Sequence, residues 1–529
     1  MSSTLPHIPT VAHPRSAAGR LPQPPPGGTI VTQTYGQILK TSALIGGSSI
    51  VTIGLGIVRT KAMALLLGPA GVGLLGLYGA IADLAQSIAG LGINSSGVRQ
   101  IAEAVGSGDA DRIARTATVL RRASVALAAI GALLLLLFSR PISILTFGDD
   151  HHAAGVALLS LAVGFRLVSF GQGALVQGMR RISDLAMLGI LGALFGTIIS
   201  IPAVYVLGED GVVPALVGVA ATGLVTSWWY SRKVQLHATI MTTSDIRYET
   251  TNLLKLGLAF MASGLLMMGS AYLIRIIILR GLGFEAAGLY QAAWAVGGLY
   301  VGFILQAMGA DFYPRLTAAA KDDTECNRLV NEQAQVSLLL AGPGVIATLT
   351  FAPLVIALMY SARFDPAVPL LRWICAGMAL RVITWPMGFI ILAKNVQSLF
   401  FVTEVAWTLV HVGLAWVCVQ GFGLNGAGVA FFGSYIFHGF LIYPLVRRVS
   451  GFRWSADNRR TGMLFITLIA LVAGAFFLLP PLAATLVGSL ASVLSARHSV
   501  RVLVTLVPQD RMPQSVQRLF VRLKFTPPA

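Results

Sequence analysis

The stretch AAGVALLSLAVGFRLVSFGQGALVQ, residues 153–177, contains one ionisable side chain, Arg166. A helix rises ~1.5 Å per residue, so a run of this length reaches across a hydrocarbon core of ~30 Å. Apolar runs of similar length recur along most of the chain. Lipid offers the backbone no hydrogen-bond partners, so only helices and closed barrels span it. Barrel strands are short and alternate apolar with polar residues, and these runs do not. The fold expected is therefore an all-α polytopic membrane protein. Charged residues make up 11% of the chain, against ~25% in a soluble domain.

Spans are predicted at 39–67, 72–98, 119–138, 153–178, 183–207 and 212–230, then at 253–279, 285–312, 334–359, 366–393, 398–420 and 425–446. Two shorter ones, 463–479 and 482–495, are split by Pro480 and Pro481, which gives twelve to fourteen transmembrane helices. The organisation expected is a disordered cytoplasmic tail (1–37, with LPQPPPGG), six-helix lobes at 38–250 and 251–450, an extra pair at 451–495, and a basic cytoplasmic tail at 496–529. The first residues lack an apolar run, so no cleavable signal is expected. The last tail contains SVQRLFVRLKF. There Val516, Leu519, Phe520 and Leu523 repeat at helical spacing among Arg518, Arg522 and Lys524, the pattern of a basic amphipathic helix on a membrane surface.

The net charge of +17 does not require a nucleic-acid partner. Basic residues crowd alternate loops: Arg99, Arg112, Arg115, Arg121 and Arg122 in one, Arg180 and Arg181 in another, Arg447, Arg448, Arg459 and Arg460 in a third. That is the positive-inside pattern, and it predicts both termini in the cytoplasm. The three cysteines, two in apolar spans and Cys326 in a polar loop, have no disulfide or zinc spacing. FGDDHH, residues 147–152, is expected to be a solvated loop, since consecutive residues rarely converge on a metal. No phosphate-binding GxxxxGK[ST] loop occurs, and no cofactor is expected.

The sequence matches itself at a shift of 215 residues: Lys40 with Lys255, Gly68 with Gly283, Gly73 with Gly288, Gly173 with Gly388, and Arg166 with Arg381. Pro141 meets Pro353 at a shift of 212, so small insertions compensate. Each half holds an even number of spans, so both enter the membrane in the same sense. Such parallel repeats pack about a pseudo-two-fold along the membrane normal, with the substrate path between them.

The charges within spans are mostly basic. A mid-depth charge costs at least ~2.5–3.5 kcal/mol, so Arg166 and Arg381 call for an explanation. Arg59, Lys61 and Arg275 are expected helpers nearer the membrane surface, where long side chains also snorkel. A positive excess in an internal cavity suits an anionic cargo. Arginine suits phosphate because its fork makes paired hydrogen bonds and stays charged. For Arg166 and Arg381 the competing explanation is a structural ion pair with Asp83 or Glu404. Asp83, Glu404 and His411 are candidates for ion coupling; the last two lie seven residues apart, on one helix face. Arg372, half a turn round from Arg381, is expected at an interface. For His411 the competing reading is a packing residue, which is also what is expected of His438.

Two stretches, RTKAMALLLGPAGVGLLGLYG and SIAGLGINSSGVRQIAE, resemble the opening of O-antigen translocases, the Wzx-type flippases. AGLYQAAWAVGGLYVGFILQAMGADFYPRL, AKDDTECNRLVNEQ and LRVITWPMGFIILAKN are similar to their second half. The resemblance runs from about Lys40 to Trp454, within the multidrug, oligosaccharidyl-lipid and polysaccharide exporter superfamily. It implies two six-helix lobes around a cationic cavity in a bacterial inner membrane. It implies transfer of an undecaprenyl-pyrophosphate-linked oligosaccharide to the periplasmic leaflet by alternating access, coupled to an ion or proton gradient, and it leaves room for glycan polymerase and assembly proteins as partners. The helices after residue 460 exceed that twelve-helix core. The rivals are a multidrug exporter, which would favour an acidic cavity, and a membrane glycosyltransferase or polymerase, for which only GDDHH and GEDG offer loop carboxylates.

Overall fold

The computed structural model describes residues 28–236 and 241–506. Among them there are helices and turns and no strand. The helices are α1 (Gly28–Gly90), α2 (Ile93–Ser107), α3 (Ala110–Leu137), α4 (Ser139–Phe147), α5 (Ala153–Gly178), α6 (Ile182–Leu207), α7 (Val212–Ser231), α8 (Thr243–Ala318), α9 (Asp323–Thr350), α10 (Ala352–Met359), α11 (Ala367–Ala393), α12 (Gln397–Phe422), α13 (Leu424–Ser450), α14 (Ala456–Leu478) and α15 (Pro481–Leu506). The chain divides into a short unit, Met1–Gly47, of which the described part is helical, and a second unit, Ser48–Ala529, which carries everything below.

Ten described segments are long and apolar enough to cross a membrane. Three of these, Gly47–Gly90, Ile182–Ser231 and Gly264–Leu305, run 44, 50 and 42 residues. At ~1.5 Å per residue each is about twice the thickness of a bilayer core, so each folds into two crossings. The breaks fall at glycines. Gly68 (φ 65°) divides α1, Gly208 (φ 60°) ends α6, and Gly283 (φ 87°) divides α8. Positive φ is reached cheaply only without a β-carbon. The positions recur: Gly68 and Gly283, Arg180 and Asn395, and Gly208 and Gly423 all have positive φ, and each pair is 215 residues apart. The internal repeat is thus written in the backbone as well as in residue identities.

Helix boundaries differ from the expected ones for identifiable reasons. The span expected at 72–98 stops at Gly90, because Leu91 (φ 45°) and Gly92 (φ 67°) turn the chain and α2 starts afresh. Helices α3 and α9 begin well before their apolar runs. Asp109 accepts hydrogen bonds from the N–H groups of Asp111 and Arg112, and Asp322 does the same for Thr324 and Glu325. A capped end satisfies otherwise orphaned donors and lets a helix start in polar sequence. Cys326, expected in a loop, is consequently buried in the first turns of α9. The span expected at 334–359 breaks at Phe351 into α9 and α10. Helix α1 starts at Gly28, inside the segment expected to be disordered, and α15 runs on to Leu506. The basic amphipathic helix around Val516–Leu523 lies outside the described residues.

Helix α5 packs on α2, α3 and α7, and α6 packs on α7. Helix α11 packs on α8, α9 and α13, and α12 on α8 and α13. Helix α8 also touches α2 and α3, which ties the two groups together, while α14 and α15 lie against α9 and each other. Leu133, Leu137, Leu478, Leu482 and Leu490 are exposed. A row of bare leucines is costly in water and cost-free in lipid.

Two cavities along helix α8

The first cavity, about 420 Å³, lies among α1, α6, α7 and α8. Its charged lining is Arg59, Asp83 and Arg275, with Thr60 and Gln291 as polar neighbours. Arg59 leans on α6, where a β-carbon at Gly196 would lie 3.0 Å from its Nη1. Arg275 donates to Gln291 Oε1 from Nε (3.2 Å) and Nη2 (2.9 Å), and from Nη1 to the Ala271 carbonyl (3.0 Å). These bonds hold the guanidinium in one place, and among the described residues its acceptors are neutral. Gln291, which the sequence reading missed, is thus a positioning group for this arginine.

Arg166 takes the competing explanation. Its Nη2 lies 2.7 Å from Asp83 Oδ1, in a salt bridge between α5 and the second arm of α1. Asp83 lines the first cavity, and Arg166 meets that cavity through it. Arg381 lines a different cavity, so the structure does not bring the two repeat-related arginines to one space. The Asp83–Arg166 pair predicts a specific pattern. Asp83→Ala alone or Arg166→Ala alone leaves one charge without its partner in a membrane span and should lower the amount of folded protein. Replacing both with Asn and Gln should restore it to within about twofold of native, because paired sites are not additive. Folded yield measured by size-exclusion chromatography in detergent checks this; equal losses in single and double variants would contradict it.

The second cavity, about 400 Å³, sits between α8, α11, α12 and α13. Arg381, Glu404 and His411 all face it, inside a wall of aromatic rings. Pro386 in α11 lies beside Trp385 and cannot donate to the carbonyl one turn earlier, which loosens the helix at the cavity wall. Arg372 points elsewhere, with its guanidinium carbon 3.6 Å from the centre of the Phe476 ring on α14. That contact satisfies it as a cation–π pair.

Lys61 is not in either lining. Its Nζ donates to the Ala357 carbonyl (2.6 Å) near the C-terminus of α10. Arg280 of α8 caps α4 in the same way, donating to the carbonyls of Ile144 and Leu145. A cation at a helix C-terminus meets both free carbonyls and the negative end of the dipole. The two short helices follow Phe138 and Phe351 respectively, so this is a crossed clasp: each half supplies the cation for the other half's helix. Beside it Tyr78 Oη lies 3.1 Å from His152 Nδ1, and the His152 ring packs on Phe147 (4.2 Å) and Phe284 (5.7 Å). Burial holds this imidazole below its usual pKa, with Asp149 pulling the other way. The rest of GDDHH is spent on its own loop, with Asp150 paired to Arg140 (3.0 Å) and Asp149 Oδ1 accepting from the His151 N–H (3.1 Å).

Glycines bring α8 against α1 at one place and against the turn between α1 and α2 at another. Gly73 faces Gly288, and a β-carbon on Gly288 would overlap the Pro69 carbonyl oxygen. Farther along, Gly92 and Gly257 meet in the same way, and a β-carbon on Gly257 would overlap the Leu91 carbonyl oxygen. Along α8 the cavity-lining residues Met268, Ala271 and Arg275 lie between these two close contacts, at Gly257 and at Gly288.

Helices long and apolar enough to cross a membrane, a backbone pattern repeated at 215 residues and a cavity lined by Arg59 and Arg275 define a polytopic helical membrane-protein architecture. The profile of the polysaccharide biosynthesis protein family matches residues 62–369. The chain belongs to that family. Among curated relatives is the lipid III flippase of Escherichia coli (strain K12), 23% identical over 415 residues, covering 75% of this chain and 95% of the relative. Among solved structures, a multidrug resistance MATE family transporter of the MOP superfamily, inward-facing, aligns with a TM-score of 0.62 at 17% identity, covering 76% of this chain and 98% of that one. The lipid II flippase MurJ in an inward closed conformation aligns with a TM-score of 0.61 at 12% identity, covering 88% and 100%. These two establish a shared fold.

Proposed function

We propose that this protein is a flippase that carries a polyprenyl-pyrophosphate-linked oligosaccharide, an O-antigen-type unit on an undecaprenyl carrier, across the bacterial inner membrane by alternating access. The observation that carries the proposal is the first cavity. Arg59 and Arg275 face one space, and its acidic lining residue, Asp83, is already paired with Arg166. The net excess is positive, within membrane-spanning helices, and fits a pyrophosphate. Two six-helix lobes, at 38–250 and 251–450, would rock about α1 and α8, with α14 and α15 attached to the second and both termini cytoplasmic. Glu404 and His411 in the second cavity, and Asp83 in the first, are the candidates for coupling to an ion or proton gradient. Glycan polymerase and assembly proteins would act on the delivered unit.

A multidrug exporter shares the fold, but a cationic drug would meet Arg59 and Arg275 unfavourably. The relatives are named as flippases and transporters, and both loop aspartates of GDDHH are engaged in local contacts. The test is removal of the protein from its cell, followed by mass spectrometry of extracted lipid-linked sugars. Accumulation of a sugar-bearing polyprenyl pyrophosphate protected from external enzymes is the expected result. Unchanged lipid-linked sugars, with altered efflux of cationic dyes, would favour the exporter.

A further inference from the structure

The second cavity holds more unspent hydrogen-bonding capacity than a packing core tolerates. Arg381 Nε, Trp407 Nε1, His411 Nδ1, His438 Nδ1 and Ser270 Oγ are buried and have no hydrogen-bond partner among the described residues. All five residues line this one cavity of about 400 Å³. Buried polar groups are normally paired, and leaving one unpaired costs free energy. A cluster of five donors and acceptors around one space is the arrangement of a site whose partner comes from outside.

The remaining walls say what kind of partner. Trp294 stacks on Tyr290 with centroids 6.0 Å apart and meets Phe431 edge-on at 5.1 Å. Phe431 meets Tyr435 at 5.1 Å, and Tyr435 meets Trp407 at 5.5 Å. Across the space, Trp385 packs on Phe389 at 4.5 Å. Such rings present an electron-rich face that attracts polarised C–H groups. A ligand with C–H faces and several hydroxyls around its edge satisfies both the rings and the unpaired polar atoms; a purely apolar chain satisfies only the rings, and a bare anion only Arg381. Glu404 adds an acceptor for hydroxyl donors.

We propose that the second cavity is a sugar-binding subsite that takes a pyranose ring of the glycan head group. The proposal rests on the flippase reading and places the two parts of that cargo. Ala271 of α8 lines both cavities, one turn from Arg275. One turn of α8 thus separates the two cavities, and a lipid whose pyrophosphate lay between Arg59 and Arg275 would bring its first sugar to Trp407 and Trp294 by passing around Ala271. The aromatic cavity then selects for cargo that carries its glycan, while the cationic cavity accepts any polyprenyl pyrophosphate.

The test compares three probes on the full-length protein in nanodiscs: undecaprenyl-pyrophosphoryl-N-acetylglucosamine, bare undecaprenyl pyrophosphate, and free N-acetylglucosamine. Binding is read by tryptophan fluorescence and by competition. The native protein should bind the sugar-bearing lipid about tenfold more tightly than the bare lipid, the scale of one or two well-placed ring contacts. Trp407→Ala should cut that preference to below about threefold with bare-lipid affinity unchanged, and Trp407→Phe, which keeps a ring, should retain most of it. If Trp407→Ala does not fold, His411→Leu, which removes both the ring nitrogens and a ring packed on Trp407 and Phe431, should reduce the preference in the same direction. Free sugar competing with the sugar-bearing lipid but not with the bare lipid would place the site on the sugar itself. Full preference in both Trp407→Ala and His411→Leu would overturn the subsite. Failure of the native protein to bind either lipid would instead overturn the flippase reading on which it rests.

Discussion

Arg59→Ala is expected to weaken capture of a pyrophosphate-bearing lipid by about 10- to 150-fold, and Arg275→Ala by a similar factor. A hydrogen bond to a charged group contributes ~1.5–3 kcal/mol, and each ~1.4 kcal/mol is a factor of ten. The loss should fall equally on lipids with and without sugar, because both arginines line the first cavity and neither lines the aromatic one. Lysine at either place keeps the charge and loses the planar fork, so it should give an intermediate loss. Gln291→Ala should act through Arg275, whose Nε and Nη2 it fixes at 3.2 and 2.9 Å. Its signature is a smaller loss that is partly compensated at low ionic strength, where an unpositioned charge still attracts. Arg166→Ala is expected to act on folding and also to weaken affinity, because it leaves Asp83 unpaired in the first cavity, whereas Arg166→Gln combined with Asp83→Asn should leave affinity near native. Equilibrium binding in nanodiscs, at two salt concentrations, separates these outcomes.

Alanine or leucine at Gly288 is expected to be the most damaging single change away from the cavities. Its β-carbon would overlap the Pro69 carbonyl oxygen and crowd Gly73, so α1 and α8 must part on that side. Overpacking of a tight contact costs ~1–3 kcal/mol, enough to move a closed state from dominant to minor. Transport should fall about tenfold or more while the protein still inserts, and a cysteine placed at Thr60 should become more reactive toward a membrane-impermeant maleimide from one side only. Gly257→Ala crowds the Leu91 carbonyl at the other contact and should raise reactivity from the opposite side. Reactivity rising from the same side in both variants would contradict the picture of two separate closures. Lys61→Met and Arg280→Met would loosen the clasp on α10 and α4 and should add to Gly288→Ala, since each removes a separate contact between the two halves of the repeat.

What could be read from the sequence and what could not follows the range of the interactions. Apolar runs and the 215-residue repeat are local or periodic signals. The repeat reappears in positive φ at Gly68 and Gly283 and at Gly208 and Gly423. The cations of the first cavity, Arg59 and Arg275, stood out because charge within an apolar run is conspicuous. The pairing of Asp83 with Arg166 did not: the two are 83 residues apart, and either could have faced a ligand until the fold joined them. Lys61 looked equivalent to Arg59 two residues earlier, yet it turns to the end of α10, a helix whose separation from α9 at Phe351 the hydropathy pattern conceals. The aromatic cavity had a signal that went unread. Tyr290 and Trp294, Trp385 and Phe389, Trp407 and His411, and Phe431 and Tyr435 are all ring pairs at i, i+4, so each helix presents a ring stripe on one face. Any one stripe is ordinary core packing; four converging on one space, with polar atoms left over, is not.

The central claim is that the cationic cavity moves a pyrophosphate-linked glycan between leaflets. Its most direct measurement is leaflet transfer of undecaprenyl-pyrophosphoryl-N-acetylglucosamine in proteoliposomes, read by access of an external sugar-modifying enzyme. Rapid transfer by the native protein is expected, and transfer at the protein-free rate when Arg59 and Arg275 are both alanine in a protein that still inserts. Undiminished transfer by that double variant would contradict it.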